Sequence, residues 1–247
     1  MSGHSKWAQI KRKKGATDAK RGQAFTKLAK AIAIAAREGA DPEMNFKLRL
    51  AVDRARAMNM PAANIDKAIE RGGGKGSEHQ LTAVTYEGYG PARVAVLVEC
   101  ATDNRNRAAA AVRAALNKHG GSMASPGSVA YLFSLRGVIL VETNQVDEVS
   151  LAAIDAGATD VESDGQTVTI YTEPKQLAAV RQRLESAGYQ LVSAELSYSP
   201  QQVVAVNDVE AARKIVRLME VLEELEDVTA VYSNFDIPID ILEAVAT

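Results

Sequence analysis

The chain has 247 residues, 47% of them hydrophobic and 24% charged, which suits two or three folded domains and excludes a largely disordered protein. No run approaches the roughly 18 apolar residues of a membrane span, Cys100 is alone and so forms no internal disulfide, and Met1 to Lys14 lack the apolar core of a secretory signal; a cytoplasmic location is expected. Net charge is −2, but residues 1–37 carry ten Lys/Arg against Asp18, residues 38–78 are balanced, and residues 79–247 carry 12 basic against 23 acidic, a polarity that points to a polyanion partner at the N-terminal end.

Residues 1–16 read as a flexible basic arm holding Lys6, Trp7, Lys11, Arg12, Lys13 and Lys14. Thr17 or Asp18 caps a first helix. Its Phe25, Leu28, Ala29 and Ile32 recur at i, i+3, i+4 and i+7, which makes one buried face. Lys20, Lys27, Lys30 and Arg37 fall on the opposite face. Asp41-Pro42 predicts the start of a second helix reaching about Met58, and Pro61 a third that Gly72-Gly73-Gly74 stops. Residues 17–77 are therefore a helical domain with a Gly-rich linker.

Beyond the linker the period changes from 3.6 to 2. Strands are expected at 82–87 and 93–101, a helix capped by Thr102-Asp103 at 104–118, and a strand at 128–134. Residues 137–198 read as strand, helix, two strands joined at the Asp164-Gly165 turn, helix and strand, the βαββαβ order of a ferredoxin-like domain. A strand at 202–206, a helix at 208–224 and a strand at 228–233 remain. Together with 93–134 they spell βαββαβ again. The expected fold is thus α+β: a helical N-terminal domain and two ferredoxin-like α/β domains, with residues 135–200 inserted into the domain formed by 78–134 plus 201–247.

The basic arm and the basic helix face carry the strongest chemical signal. Clustered cations release counterions from phosphates and give affinity without sequence preference. Trp7 offers a ring on which a base stacks. The candidate nucleic-acid-binding residues are therefore Lys6, Trp7, Lys11, Arg12, Lys13, Lys14, Lys20, Arg21, Lys27, Lys30 and Arg37. Arg105 and Arg107 form a candidate anion site. Two cations in the first turn of a helix oppose its dipole, so either a bound phosphate or carboxylate compensates them, or Asp103 and Glu99 pair with them. Gly72 to Ser77 lacks the GxxxxGK[ST] order of a phosphate loop and reads as a hinge. Glu223, Glu224, Glu226 and Asp227 read as a solvated acidic helix end. His4, His79 and His119 are scattered, so no metal site or cofactor is expected, and neither a nucleophile nor an acid–base pair emerges. Cys100, in an apolar strand, reads as a buried hydrophobe.

Several stretches resemble the YebC/PmpR family: Met1-Ser2-Gly3-His4-Ser5-Lys6-Trp7-Ala8, Asp18-Ala19-Lys20-Arg21-Gly22, Phe25-Thr26-Lys27-Leu28, Asn59-Met60-Pro61, Tyr86-Glu87-Gly88-Tyr89-Gly90-Pro91, Thr102 to Arg107, Gly127-Ser128-Val129 and Tyr232-Ser233-Asn234. Gln9, Arg12 and Ala92-Arg93 differ as ordinary variation does. The resemblance implies a three-domain, bacterial, cytoplasmic protein without catalytic residues. It implies a DNA-binding transcriptional regulator; some members, and the mitochondrial relatives, look instead like translation factors acting on ribosomes at proline-rich stretches. The expected partner is accordingly nucleic acid, DNA or ribosomal RNA, with the ribosome as a second candidate, and neither a membrane nor a small-molecule substrate. No short helix presents a row of base-reading Asn, Gln or Arg, which argues against a sequence-specific operator binder, and phosphate contacts alone do not say which polymer is held.

Overall fold

A computed structural model of the chain describes residues 18–74 and 81–245, with side chains from Arg21 onward. The chain divides into two compact units, residues 133–199 and the described part of 2–132 with 200–247. In the larger unit three helices come first: α1 (Asp18–Ala36), α2 (Phe46–Ala57) and α3 (Ala62–Gly73). Leu28 and Ile32 of α1, Leu48, Val52 and Ala55 of α2, and Ile65 and Ala68 of α3 form one apolar cluster, as the 3.6-residue spacing predicts.

The second helix begins later than Asp41-Pro42 suggested. Asn45 is the cap: its Oδ1 accepts from Leu48 N at 3.1 Å, while its Nδ2 donates to the carbonyls of Ala35 and Gly39 at 2.8 and 2.7 Å. One buried amide thus closes the end of α1 and opens α2. Asp41 instead bends the loop, accepting from Glu43 N at 2.9 Å. Nor is Gly72 part of a hinge. It lies inside α3, where a Cβ would fall on the Ala33 carbonyl oxygen and 2.8 Å from the Ala36 Cβ of α1. The glycine lets two helix backbones touch.

The same unit continues with β1 (Thr82–Tyr89), β2 (Ala95–Thr102), α4 (Arg105–Lys118) and β3 (Ser122–Met123). After the smaller unit it resumes with β8 (Val204–Ala205), α7 (Val209–Glu224), β9 (Val228–Ser233), β10 (Phe235–Asp236) and α8 (Ile239–Val245). The main sheet has the order β3-β1-β2-β9. On one face Val96, Val98 and Cys100 of β2 pack with Val112 and Leu116 of α4 and Ile215, Leu218 and Met219 of α7. The alternating residues Leu97 and Ala101 are also buried, because α1 lies over β2 and β9 on the other face. Strand β2 is therefore covered on both sides, which explains its nearly continuous apolar run.

The α+β class and the order of helices before sheets are as expected, but the strands of this unit are placed differently. Residues 128–132 form no strand. The Glu87 carboxylate accepts from the N–H groups of Gly127, Val129 and Ala130 at 2.6, 2.7 and 2.9 Å, which takes donors a ladder would have used, and Ala130–Leu132 turns as a 3-10 helix. The sheet edge beside β1 is β3 instead. The segment near 202–206 joins neither of the larger sheets; β8 pairs in parallel with β10. The βαββαβ order predicted from 93 to 233 is thus replaced by a hairpin, a helix and a short edge strand, with α7 and β9 completing the sheet.

The smaller unit contains β4 (Phe133–Glu142), α5 (Val146–Asp155), β5 (Asp160–Asp164), β6 (Thr167–Thr172), α6 (Leu177–Ser186) and β7 (Leu191–Pro200), in the sheet order β5-β6-β4-β7. This is the ferredoxin-like arrangement. Asp164 pairs with Thr167 across a two-residue turn in which Gly165 takes φ 60°. In the larger unit Gln201 N donates to Leu132 O at 2.8 Å, so the two points where the chain leaves and re-enters are hydrogen-bonded neighbours.

Candidate nucleic-acid interface

Helix α1 decides which basic residues are available. It is the middle layer of its unit, with α2 and α3 on one side and β2 and β9 on the other. The face opposite its apolar stripe is consequently not the solvated surface that the spacing suggested. Lys30 is only 9% exposed. Its Nζ donates to Asp227 Oδ1 at 2.9 Å and to the Glu226 carbonyl at 3.0 Å. Lys27 donates to the Glu223 carbonyl, and Arg37 donates to Leu81 O at 2.7 Å. Lys30 is thus withdrawn from the surface, and the cause is the second packing face of α1; Lys27, half-buried, and Arg37, exposed, each spend a hydrogen bond inside the molecule. Arg21 is exposed near the start of the helix. Only the backbone of Lys20 is described, and Lys6, Trp7, Lys11, Arg12, Lys13 and Lys14 lie outside the described residues.

The carboxylate partner of Lys30 comes from the acidic end of α7, where the sequence suggests a solvated run. Glu226 is exposed, but Asp227 is 7% exposed and turned inward between α7 and β9. There it meets Arg107 as well. Arg107 Nε and Nη2 both donate to Asp227 Oδ2, at 3.2 and 2.9 Å, and Nη2 also reaches Asp227 Oδ1 at 3.1 Å and Asp103 Oδ1 at 2.8 Å. Arg107 is thus paired with carboxylates instead of facing an open anion cleft. Glu99 is not among its partners; it accepts from Tyr232 OH at 3.1 Å on the α1 side of the sheet. The cap of α4 is also occupied internally, by Asn104 Oδ1 accepting from Arg107 N at 3.0 Å. Arg105 is exposed, and its guanidinium makes no hydrogen bond or ion pair among the described residues.

Charge states follow from these contacts. Burial pushes the Asp227 carboxyl up, but hydrogen bonds and charge from Lys30 and Arg107 outweigh it and hold the group below its ordinary value. Arg107 is held more firmly protonated, first by its bond to Asp227 and then by Asp103. Glu99 goes the other way: burial raises it, against smaller opposing effects of Tyr232 and Arg54. Burial pushes the Cys100 thiol up to about 12, so it is not a nucleophile at neutral pH. Among the described residues no group of three His, Cys, Asp or Glu could hold a metal ion, and no helix is long and apolar enough to cross a membrane.

Residues 5–75 match the family model described as the TACO1/YebC protein N-terminal domain, and residues 81–235 match that of the TACO1/YebC second and third domain. The chain belongs to the TACO1/YebC family. It is 54% identical to a "Probable transcriptional regulatory protein" of Rubrobacter xylanophilus, with each chain fully covered. It is 51% identical to a protein of the same name from Roseiflexus castenholzii, over 98% of each chain. A crystal structure of a conserved hypothetical protein from Aquifex aeolicus, 42% identical, superposes with a TM-score of 0.83 over 90% of this chain and 92% of that one. Three of the stretches that carry the resemblance, 86–91, 102–107 and 127–129, are hydrogen-bonded to one another, and Asn234 of a fourth ties down the backbone beside β2 and β8. Tyr86 OH donates to Arg105 O at 2.8 Å, and Tyr89 OH to Ser128 O at 3.2 Å. Asn234 Oδ1 accepts from Ala95 N at 2.7 Å, and its Nδ2 donates to Gln202 O at 3.1 Å. The pairing roles of Asp227, Glu87 and Asn234 were not visible in the sequence. For Asp227 the hint of internal pairing in the sequence is the surplus of acid after residue 79, opposite in sign to residues 1–37.

Proposed function

We propose that this protein is a non-catalytic, nucleic-acid-binding regulator of gene expression in the cytoplasm and that it acts on DNA, in keeping with relatives named probable transcriptional regulatory proteins. The observation that supports it is the charge left over in the N-terminal region. Ten Lys/Arg stand against Asp18 in residues 1–37, and Lys27, Lys30 and Arg37 are used inside the molecule. The cations of residues 6–14 are the remaining concentrated source of phosphate affinity. Arg105, at the start of α4, is a further candidate anion contact.

The test is a salt titration of binding to duplex DNA and to ribosomal RNA fragments. Changing Lys11, Arg12, Lys13 and Lys14 to Gln should flatten the dependence of log affinity on log salt by about 0.7–0.9 for each phosphate no longer neutralised, with an unchanged melting temperature. An unaltered slope would remove this segment as the grip. Trp7→Ala should weaken single-strand binding by roughly 1–3 kcal/mol where the ring stacks on a base.

A further inference from the structure

A groove lies between α1 and α3 where Phe25 and Ala29 pack against the helical cluster that Met60 joins. Phe25, Ala29 and Met60 make its floor, and Asn64, Lys67 and Arg71 its rim, around a volume of about 270 Å³. Asn64, Lys67, Ala68 and Arg71 recur at i, i+3, i+4 and i+7, one stripe of α3, while the acids Asp66 and Glu70 fall off that stripe. Lys67 and Arg71 are exposed and make no hydrogen bond or ion pair among the described residues. On α1, Arg21 stands one turn before Phe25 on the same side.

The geometry points to a nucleotide site: we propose that the α1/α3 groove receives one unpaired nucleotide of a single-stranded nucleic acid, the base against Phe25 and the flanking phosphates on Lys67 and Arg71. The inference rests on the nucleic-acid reading above and narrows it. An apolar, partly aromatic floor favours the face of a base. The Asn64 amide offers both a donor and an acceptor to a base edge. Two cations on the rim match the charge of a backbone running past it. A base inside a duplex is stacked and paired and cannot reach the floor without being flipped out.

The experiment titrates the full chain against labelled single-stranded RNA, single-stranded DNA of the same sequence, and the duplex. Phe25→Leu keeps an apolar side chain in the floor and should weaken single-strand binding about 5- to 150-fold, the equivalent of one base stack, while leaving duplex affinity alone. Lys67→Gln with Arg71→Gln should lower the single-strand salt slope by about 0.7 for each phosphate no longer neutralised. Melting curves check the fold of each variant, and the double Gln variant, altered only at exposed positions, serves if Phe25→Leu unfolds. The tighter of the two single strands identifies the polymer that supplies the nucleotide. Wild-type affinity and slope in both folded variants would overturn the groove and leave the functional reading standing. A wild-type chain that binds none of the three polymers would overturn both.

Discussion

Replacing Asp227 by Asn tests whether the seam between α1 and the main sheet is held electrostatically. The change keeps the shape and removes the charge that Lys30 and Arg107 share. Removing one partner of a buried ion pair costs about 3–5 kcal/mol, because the other charge stays buried without compensation. Here Lys30 keeps the Glu226 carbonyl at 3.0 Å, and the Glu226 carboxylate is 3.7 Å away but 78% exposed and well screened. The expected loss is therefore about 2–3 kcal/mol. Arg107, with its side chain 51% exposed, retains Asp103 and water. Urea denaturation at neutral pH reads the loss. Lys30→Met is the second arm. If the charges act on each other, the double variant loses less than the sum of the single variants, by about 1 kcal/mol or more. Strict additivity, or a loss under about 0.5 kcal/mol for Asp227→Asn, would refute the seam as described.

The same pair sets a pH dependence whose sign follows from the depressed Asp227 value. A carboxyl that titrates lower when folded binds fewer protons in the native state, so its contribution is complete above the unfolded value of about 3.9 and is lost as pH falls through the folded one. Wild type should thus lose stability more steeply than Asp227→Asn below about pH 4. Parallel acid melts would disprove the assignment.

Three other variants probe neighbouring features. Glu99→Gln should raise the melting temperature at pH 7, since burial raises this carboxyl and its ionisation opposes folding; the gain should shrink as pH falls toward about 4.3, and a loss at pH 7 would contradict it. Glu87→Gln should lower stability by about 1–3 kcal/mol, because one of the Gly127, Val129 and Ala130 donors then faces an amide N–H; urea denaturation with hydrogen exchange at 127–130 would locate the loss, and unchanged protection there would count against the cradle. Gly72→Ala gains about 1 kcal/mol of helix propensity yet collides with the Ala33 backbone, so a net loss of about 1–2 kcal/mol is expected, and a stabilised variant would show that α1 and α3 do not touch there.

Much of this fold is written in local patterns. The strand Val228–Ser233 has the bounds its alternation predicts, and the order within 137–198 is readable because each helix there ends at a glycine, Gly157 and Gly188, both at positive φ. The departures have one common cause, a side chain that acts across a long stretch of sequence. Val129, Tyr131 and Phe133 alternate as a strand does, and nothing local reveals that Glu87, about forty residues earlier, takes the N–H groups of Gly127, Val129 and Ala130. Asp41 is an ordinary helix cap until Asn45, tied back to Ala35, outcompetes it.

The basic helix face is the instructive case for function. A wheel of α1 separates apolar from charged residues, and the usual inference sends the charged side to water. That inference holds for a helix with one packing partner. Helix α1 has two, and Lys30 reaches the second with its ammonium matched by Asp227, a residue placed 197 positions away and readable only as one more acid in an acidic run. Clustered charge in a sequence therefore has two destinations, a polyanion or an internal counter-charge. The excess of acid in residues 79–247 divides the basic residues between them. On that division Lys27, Lys30, Arg37 and Arg107 belong to the fold. Binding of nucleic acid should then depend on the cations of residues 6–14 and on Lys67 and Arg71, and a charge reversal at Lys30 should unfold the seam before it weakens any nucleic-acid contact.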